Sequence, residues 1–358
     1  MSKPKGPLRR GWTTGACATA ATKAAYMALL TGAFPDPVGI VLPRGEQPGF
    51  ALARATRTDA AATAGIVKDA GDDPDVTHGA LVLSTVYHGA PGSGVIFRAG
   101  PGVGTVTKPG LPIPPGEPAI NPVPRQMMRA VVAEVAAAFG VPGDVVVEIS
   151  VENGEALAKK TWNPRLGIVG GLSILGTTGV VVPFSCSAWI HSIQRGVDVS
   201  RALGLTHVAG CTGSTSEALV QRLYGLEDSA LLDMGDFAGG LLKYLRRHPL
   251  PKLTIAGGFA KMVKLGQGAL DLHSGRSQVD FGRLAELLEG CGADPGLVAA
   301  ARTANTAKEV LDNAAGLALA DAVAEAARRT AQGVLDGAPV QVEVLVVDRA
   351  GDLVGRAG

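Results

Sequence analysis

Three glycine-rich loops and one acidic run hold the residues whose types and spacing could do chemistry in this chain. The first loop, Arg98–Gly110, places Gly100, Gly102 and Gly104 in a GxGxG spacing. A nucleotide fingerprint needs a strand before such a loop and a helix N-terminus after it. Val95–Arg98 reads as the strand, but Pro109, Pro112, Pro114 and Pro115 follow and exclude a helix. A dinucleotide site is therefore not expected here. The loop amides can still face an anion, with Lys108 adding charge; a set of tight turns is the plainer alternative. The second loop, Gly167–Gly179, sets five glycines among apolar and hydroxyl residues, including Gly170, Gly171, Gly176, Thr177 and Thr178. That composition lets the backbone come close to a ligand or to another element.

The third loop, Val208–Glu217, reads as strand, glycine loop and helix start. Ser214 or Thr215 can cap the helix, and Glu217 sits near its first turn. In open α/β sheets ligands bind where strands end and helices begin. Free amides there favour a carboxylate by roughly 0.3–1 kcal/mol per charge. The candidate cofactor-binding residues are Gly210, Thr212, Gly213, Ser214, Thr215, Ser216 and Glu217; an ordinary capped helix is the alternative. The acidic run, Lys68–Gly79, gathers Asp69, Asp72, Asp73, Asp75 and His78. Its spacing is not that of an EF-hand, and no bidentate Glu closes it. Asp69, Asp72 and His78 are the candidates for moving a proton in a substrate cleft; a solvated turn competes with that reading. Six histidines without an HxxxH pair argue against a zinc hydrolase. No GxxxxGKS or GxxxxGKT and no GxSxG occur, which argues against a P-loop NTPase and an α/β-hydrolase.

These loops need a scaffold. Thr13 or Thr14 can cap a helix over about residues 15–31, stopped by Gly32. Val38–Leu42, Phe50–Thr56, Ala80–Tyr87, Val95–Arg98 and Val145–Val151 read as strands, with a helix from Pro122–Pro124 to about Phe139. Beyond that the pattern becomes strand, glycine loop, helix. Helices are expected over Ile190–Leu203, from about Thr215, over Asp236–Arg247 and from Phe259, and strands at Thr206–Ala209 and Leu253–Ala256. An Ala-rich helix, about Ala307–Gln332, and a last strand, Val340–Val347, finish the chain. The fold class is α/β. A mixed α+β domain, residues 1–183, is followed by an α/β domain, residues 184–358, with a mainly parallel sheet.

The chain has 358 residues, about two domains at roughly 150 residues each. Hydrophobic residues at 46% against 18% charged describe a buried core and exclude disorder. A net charge of +1 lacks the basic excess of a nucleic-acid binder. The four cysteines, Cys17, Cys186, Cys211 and Cys291, form no CxxC pair and read as reduced, cytoplasmic thiols. Met1–Arg10 is basic and Gly15–Leu30 apolar, but Lys23 interrupts the run and no A-x-A site precedes a plausible mature start, so a cleaved signal is not expected. No membrane span is expected either. Self-association into a homo-oligomer is left open.

Six segments, in order, resemble one family: Leu8–Ala18, Lys68–Gly79, Gly102–Leu111, Asn121–Arg125, Gly167–Gly179 and Gly213–Glu217. Each is weak alone and specific in series, and together they span nearly the whole chain. They resemble the cobalt-precorrin-5B (C1)-methyltransferase family of anaerobic cobalamin biosynthesis. The resemblance implies that S-adenosylmethionine gives its methyl group to C1 of cobalt-precorrin-5B, forming cobalt-precorrin-6A. Cobalt arrives inside the substrate, so no protein metal site is implied. It also implies a fold unlike the common Rossmann-like methyltransferase sheet, with the donor bound in the second domain. The acetate and propionate arms of the substrate need Arg, Lys and backbone amides. Arg9, Arg10, Lys108, Arg125 and Lys261 are the candidate cations, with Thr13, Thr14 and the Gly170–Thr178 positions beside them; solvated surface charges are the alternative for each. Two departures stand out. Pro183–Ala188 replaces an acidic stretch, and Gly257–Lys261 lacks a histidine of the family pattern but keeps its lysine. A non-catalytic tetrapyrrole carrier and a small-molecule kinase are the rival readings.

Overall fold

The computed structural model describes residues 6–358; the first five residues of the basic N-terminal stretch lie outside the described residues. The chain divides into two compact units, one ending at Cys186 and the other beginning at Ser187.

The first unit runs β1 (Gly11–Trp12), α1 (Thr14–Thr31), β2 (Val38–Gly39), β3 (Gly49–Phe50), β4 (Arg54–Arg57), β5 (Ala61–Val67), β6 (Leu81–His88), β7 (Val95–Ala99), β8 (Gly102–Val103) and β9 (Thr105–Val106). It continues with α2 (Pro122–Phe139), β10 (Val145–Val151), α3 (Gly154–Ala158), β11 (Ile168–Val169), β12 (Gly171–Leu172) and β13 (Val180–Val181). Its main sheet has the order β4-β5-β6-β10-β7, antiparallel except between β10 and β7. Alternation turns Ala62, Ala64 and Ile66 of β5 and Val82, Ser84 and Val86 of β6 inward. Helix α1 packs against these two strands and α2. Its Ala, Gly, Cys and Thr residues are small on every side, so it is buried nearly all round. Thr13 caps it, accepting from the Ala16 amide at 3.1 Å, and Gly32 ends it in the left-handed conformation, as the sequence predicts. Thr22 Oγ1 meets Ser84 Oγ at 2.9 Å, so the polar pair between helix and sheet is satisfied. The sequence reading missed β5, whose Ala-rich run has little strand propensity, because pairing with β6 along its length overrides propensity. The strand expected at Phe50–Thr56 is two pieces, β3 and β4, which pair with different partners.

The second unit holds most of α4 (Cys186–Ala202), then β14 (His207–Cys211), α5 (Ser214–Tyr224), β15 (Leu231–Asp233), α6 (Ala238–Arg247), β16 (Lys252–Gly258) and α7 (Phe259–Gly266). It closes with α8 (Phe281–Gly290), α9 (Pro295–Arg302), α10 (Ala307–Asn313), α11 (Leu319–Leu335), β17 (Gln341–Val347) and β18 (Leu353–Ala357). The sheet order is β15-β14-β16-β17-β18; the first four are parallel and β18 is antiparallel. This order departs from the 3-2-1-4-5-6 of the dinucleotide-binding sheet. Val208, Leu253, Ile255, Val342, Val344 and Val346 face one large core with α4, α6, α7 and α11. Ala209, Cys211, Ala256 and Leu345 face the other side, where Val220 of α5 packs. The single helix expected over 307–332 is two, broken at Gly316, whose φ of +87° no helix accommodates. The sequence reading also missed α8, α9 and the closing strand β18.

Where β16, β17 and β18 are not covered by α5, the sheet surface is polar and fully answered. Glu343 accepts from Tyr224 Oη (2.7 Å), Thr254 Oγ1 (2.8 Å) and both Nε and Nη2 of Arg356 (2.9 and 2.7 Å), and Lys252 Nζ lies 3.5 Å away. Burial alone would raise its pKa, but these donors hold the carboxyl down at about 2.

Candidate functional site

In the second unit the chain reverses its direction of progression between β14 and β16. The connection from β14 leads to α5 on one face, and that from β16 leads to α7 on the other. Connections that part in this way leave a crevice at the carboxyl ends of the strands, where open α/β sheets hold ligands. Gly213, the N-cap of α5, has no capping side chain, so the Ser214, Thr215 and Ser216 amides are not answered within the helix. Gly258 caps α7 with backbone alone in the same way. Gly257 lets the strand ends close up: a Cβ there would lie 2.7 Å from Thr212 Oγ1 and 2.8 Å from Met262 Cε. Lys261, in the first turn of α7, donates to Thr212 O at 3.0 Å and sits 3.1 Å from Asp236 Oδ1. It thus ties α7 to the loops after β14 and β15.

Of the expected cofactor-binding residues, Thr212, Gly213, Ser214 and Thr215 come together at the strand ends, with Gly213, Ser214 and Thr215 exposed; Lys261, expected as a substrate cation, lies with them. Glu217 lies on the same helix, one turn along, its amide on Gly213 O. Gly210 instead faces α6, where a Cβ would meet Leu241 Cδ2 at 2.5 Å. Ser216 is buried, its hydroxyl donating to Gly213 O at 2.8 Å. Asp233, Asp236, Gly257 and Gly258 were missed. Strand β15 has only three residues, too short for a periodic pattern; Asp233 is its last residue and Asp236 lies beyond it.

In the first unit the N-terminal segment and the acidic run form one cluster. Arg9 makes a two-pronged ion pair with Asp69, whose Oδ1 also accepts from Gly71 N at 2.9 Å. The Arg9 hydrogen bond, followed by that of Gly71, lowers the Asp69 pKa to about 2. Asp72 Oδ2 accepts from Arg9 N at 2.6 Å, and His78 Nδ1 accepts from Ala70 N at 3.1 Å. Trp12 N donates to Asp69 O at 2.7 Å, and Asp73 Oδ1 accepts from Phe184 N at 2.7 Å. Beneath the loop Lys68 is 1% exposed, its Nζ 2.5 Å from Asp75 Oδ2, while Thr77 donates twice to Asp75 Oδ1. Burial pushes the adjacent Cys17 thiol up to about 12, which leaves it inert.

The two glycine loops of this unit interlock. β8 pairs in parallel with β12, and β9 pairs antiparallel with β11. A Cβ on Gly171 would enter the backbone of Gly102, and one on Gly104 would meet Gly171 O at 2.9 Å. These glycines therefore serve backbone packing, while Gly170, with φ +87°, has open space beside it. A Cβ on Gly176 would strike Thr13. Thr14 Oγ1 accepts from Leu175 N at 3.1 Å and lies 3.2 Å from Leu175 O. Thr13 and Thr14 are both buried, Thr178 bonds Val180, and Thr177 is exposed. Arg125 is engaged by Ile120 O, Pro118 O and Glu117 and lies over Phe97 at 5.4 Å. The stem of Lys108 covers Gly167, and Arg10 is exposed. Among the described residues no group of three or more His, Cys, Asp or Glu could hold a metal ion. No helix among them is long and apolar enough to cross a membrane. Two open grooves, one lined by Cys291, Asp321 and Glu325 and one by Asn153 and Lys159, gather none of the candidates.

A family model described as CbiD matches residues 1–183, and one described as the CbiD C-terminal domain matches residues 271–358. A Brucella anthropi protein named cobalt-precorrin-5B C(1)-methyltransferase is 64% identical over 357 residues, covering 99% of this chain and 97% of that protein. One of the same name from Paramagnetospirillum magneticum is 64% identical over 350 residues, 98% of each. A crystal structure of the cobalamin biosynthesis protein cbiD from Archaeoglobus fulgidus is 27% identical, with a TM-score of 0.41, covering 77% of this chain and 86% of that one. At this identity over nearly its full length, and with its first 183 residues matched by the family model, the chain belongs to the CbiD family.

Proposed function

We propose that this protein transfers a methyl group from S-adenosylmethionine to C1 of cobalt-precorrin-5B in cobalamin biosynthesis. The observation that carries this reading is the 64% identity, across both units, to relatives named for that reaction. The second unit offers the donor a fitting site. Uncapped amides of α5 suit its carboxylate. The macrocycle supplies its own nucleophilic carbon, so the protein's part is to hold nucleophile, methyl and sulfur in line. Such positioning contributes roughly 7–11 kcal/mol in well-oriented reactions.

Of the candidate cations in the first unit, Arg10 and Lys108 are open to substrate carboxylates, since Arg9 and Arg125 are engaged by Asp69 and Glu117. Asp69, held near 2, stays ionised and is a weak base. His78 Nδ1 accepts from Ala70 N, so the neutral ring carries its proton on Nε2 and offers a ligand a hydrogen-bond donor there. The test is anaerobic incubation of purified protein with donor and cobalt-precorrin-5B, followed by mass spectrometry. A corrinoid carrying one added methyl at C1 is expected. Tetrapyrrole binding without turnover, and without calorimetric binding of the donor, would replace this reading with that of a carrier.

A further inference from the structure

We propose that Asp233, with Trp189 beside it, recognises the adenosine half of the methyl donor: the carboxylate accepts the ribose hydroxyls and the indole stacks on the base. This rests on the donor-site reading above and adds the residues that give it nucleoside specificity. β14, α5 and β15 form a βαβ unit whose glycine loop ends at Gly213, and Asp233 stands twenty residues further on, as the last residue of β15. In βαβ units that hold nucleosides, an acid about 20 residues past the glycine loop takes the ribose hydroxyls. The register agrees, because Asp233 is the Cα partner of Cys211, two residues before Gly213. The pleat puts Asp233 on the face of Leu231, which packs with Cys211 and with Val220 of α5. The carboxylate therefore leaves the sheet on the side where α5 begins uncapped.

The base has a surface of its own. β15 is the edge strand, so no further strand covers this side. Trp189 lies across its end, donating Nε1–H to Asp233 O at 3.1 Å. Its ring is 3.3 Å from where a Cβ on Gly235 would stand, and its centroid is 6.2 Å from that of Phe237. Despite these contacts the residue is 44% exposed. A fixed, half-exposed indole next to a strand-end acid suits a planar base attached to a ribose.

Calorimetric titration of the full chain with S-adenosylhomocysteine and its 2′-deoxy and 3′-deoxy forms tests this. The unmodified protein is expected to bind at least one deoxy form about tenfold more weakly, the scale of one hydrogen bond to a charged group. Asp233→Ala should abolish that difference, whereas Trp189→Ala should weaken all three ligands together. If the unmodified protein binds all three alike, or Asp233→Ala keeps the difference, the proposal is overturned while the donor site stands. If the protein does not bind S-adenosylhomocysteine at all, the donor-site reading falls and takes this proposal with it.

Discussion

Single residues in this protein are decided by what answers their charge. Lys68 is the clearest case, with a fully buried ammonium answered by a carboxylate that is itself partly buried. Lys68→Ala should destabilise by roughly 3 kcal/mol, the low end for breaking a buried pair, because Thr77 still serves Asp75. A lower urea midpoint at unchanged slope is the expected readout. Glu343 makes a second case. Its folded pKa of about 2 lies below the ordinary 4.5, so it contributes stability above about pH 4.5 that is lost as pH falls toward 2. Roughly 3 kcal/mol is at stake by that shift. Urea midpoints from neutral pH down to about 2 should fall more shallowly for Glu343→Gln than for the unmodified chain. The same contact holds the Tyr224 phenol protonated: burial, then the Glu343 hydrogen bond, pushes it up to about 12. By contrast the exposed Arg9–Asp69 pair contributes little to stability, so Arg9→Ala acts mainly by loosening the acidic run.

At the scale of elements, glycines set how closely loops and strands approach. β8 and β12 can pair only because Gly171 lacks a side chain: a Cβ there would lie 2.3 Å from Gly102 C. Gly171→Ala should force them apart at a cost of roughly 1–3 kcal/mol, seen as a lower melting temperature. Gly257 acts likewise at the ends of β14 and β16. Gly257→Val should displace Thr212 and with it the loop before α5. A large drop in S-adenosylhomocysteine affinity is expected alongside a lower melting temperature; unchanged affinity would place the donor elsewhere. The three-residue β15 shows why element-level reading from sequence stops short. It is a strand only because β14 offers it a parallel partner.

The two largest hydrophobic cores of the described residues lie one in each unit. Two cores need not melt as one, so the calorimetric enthalpy of unfolding should exceed the van't Hoff value. Equal enthalpies would mean a single cooperative unit. The near-neutral net charge gives no long-range field to gather a polycarboxylate substrate, so capture must rest on local cations. Turnover should accordingly show a shallow ionic-strength dependence of kcat/KM.

Local chemistry alone determined much of this protein. The Thr13 cap and Gly32 stop of α1, the strand–loop–helix reading around Gly213, the α/β class of the second half and the family resemblance all follow from neighbouring residues, whose propensities and spacings act within a few positions. Tertiary structure decided which candidates are free to act. Arg125 and Arg9 carry the right charge for a substrate carboxylate, but Glu117 and Asp69, distant or turned away in sequence, already hold them. Gly171 and Gly210 read as ligand-facing until the backbone or side chain that fills their space is seen. Asp233 gains meaning only when β15 pairs beside β14. A side chain's partner is fixed by distance in space, and the folding that sets this distance joins segments that the sequence keeps far apart.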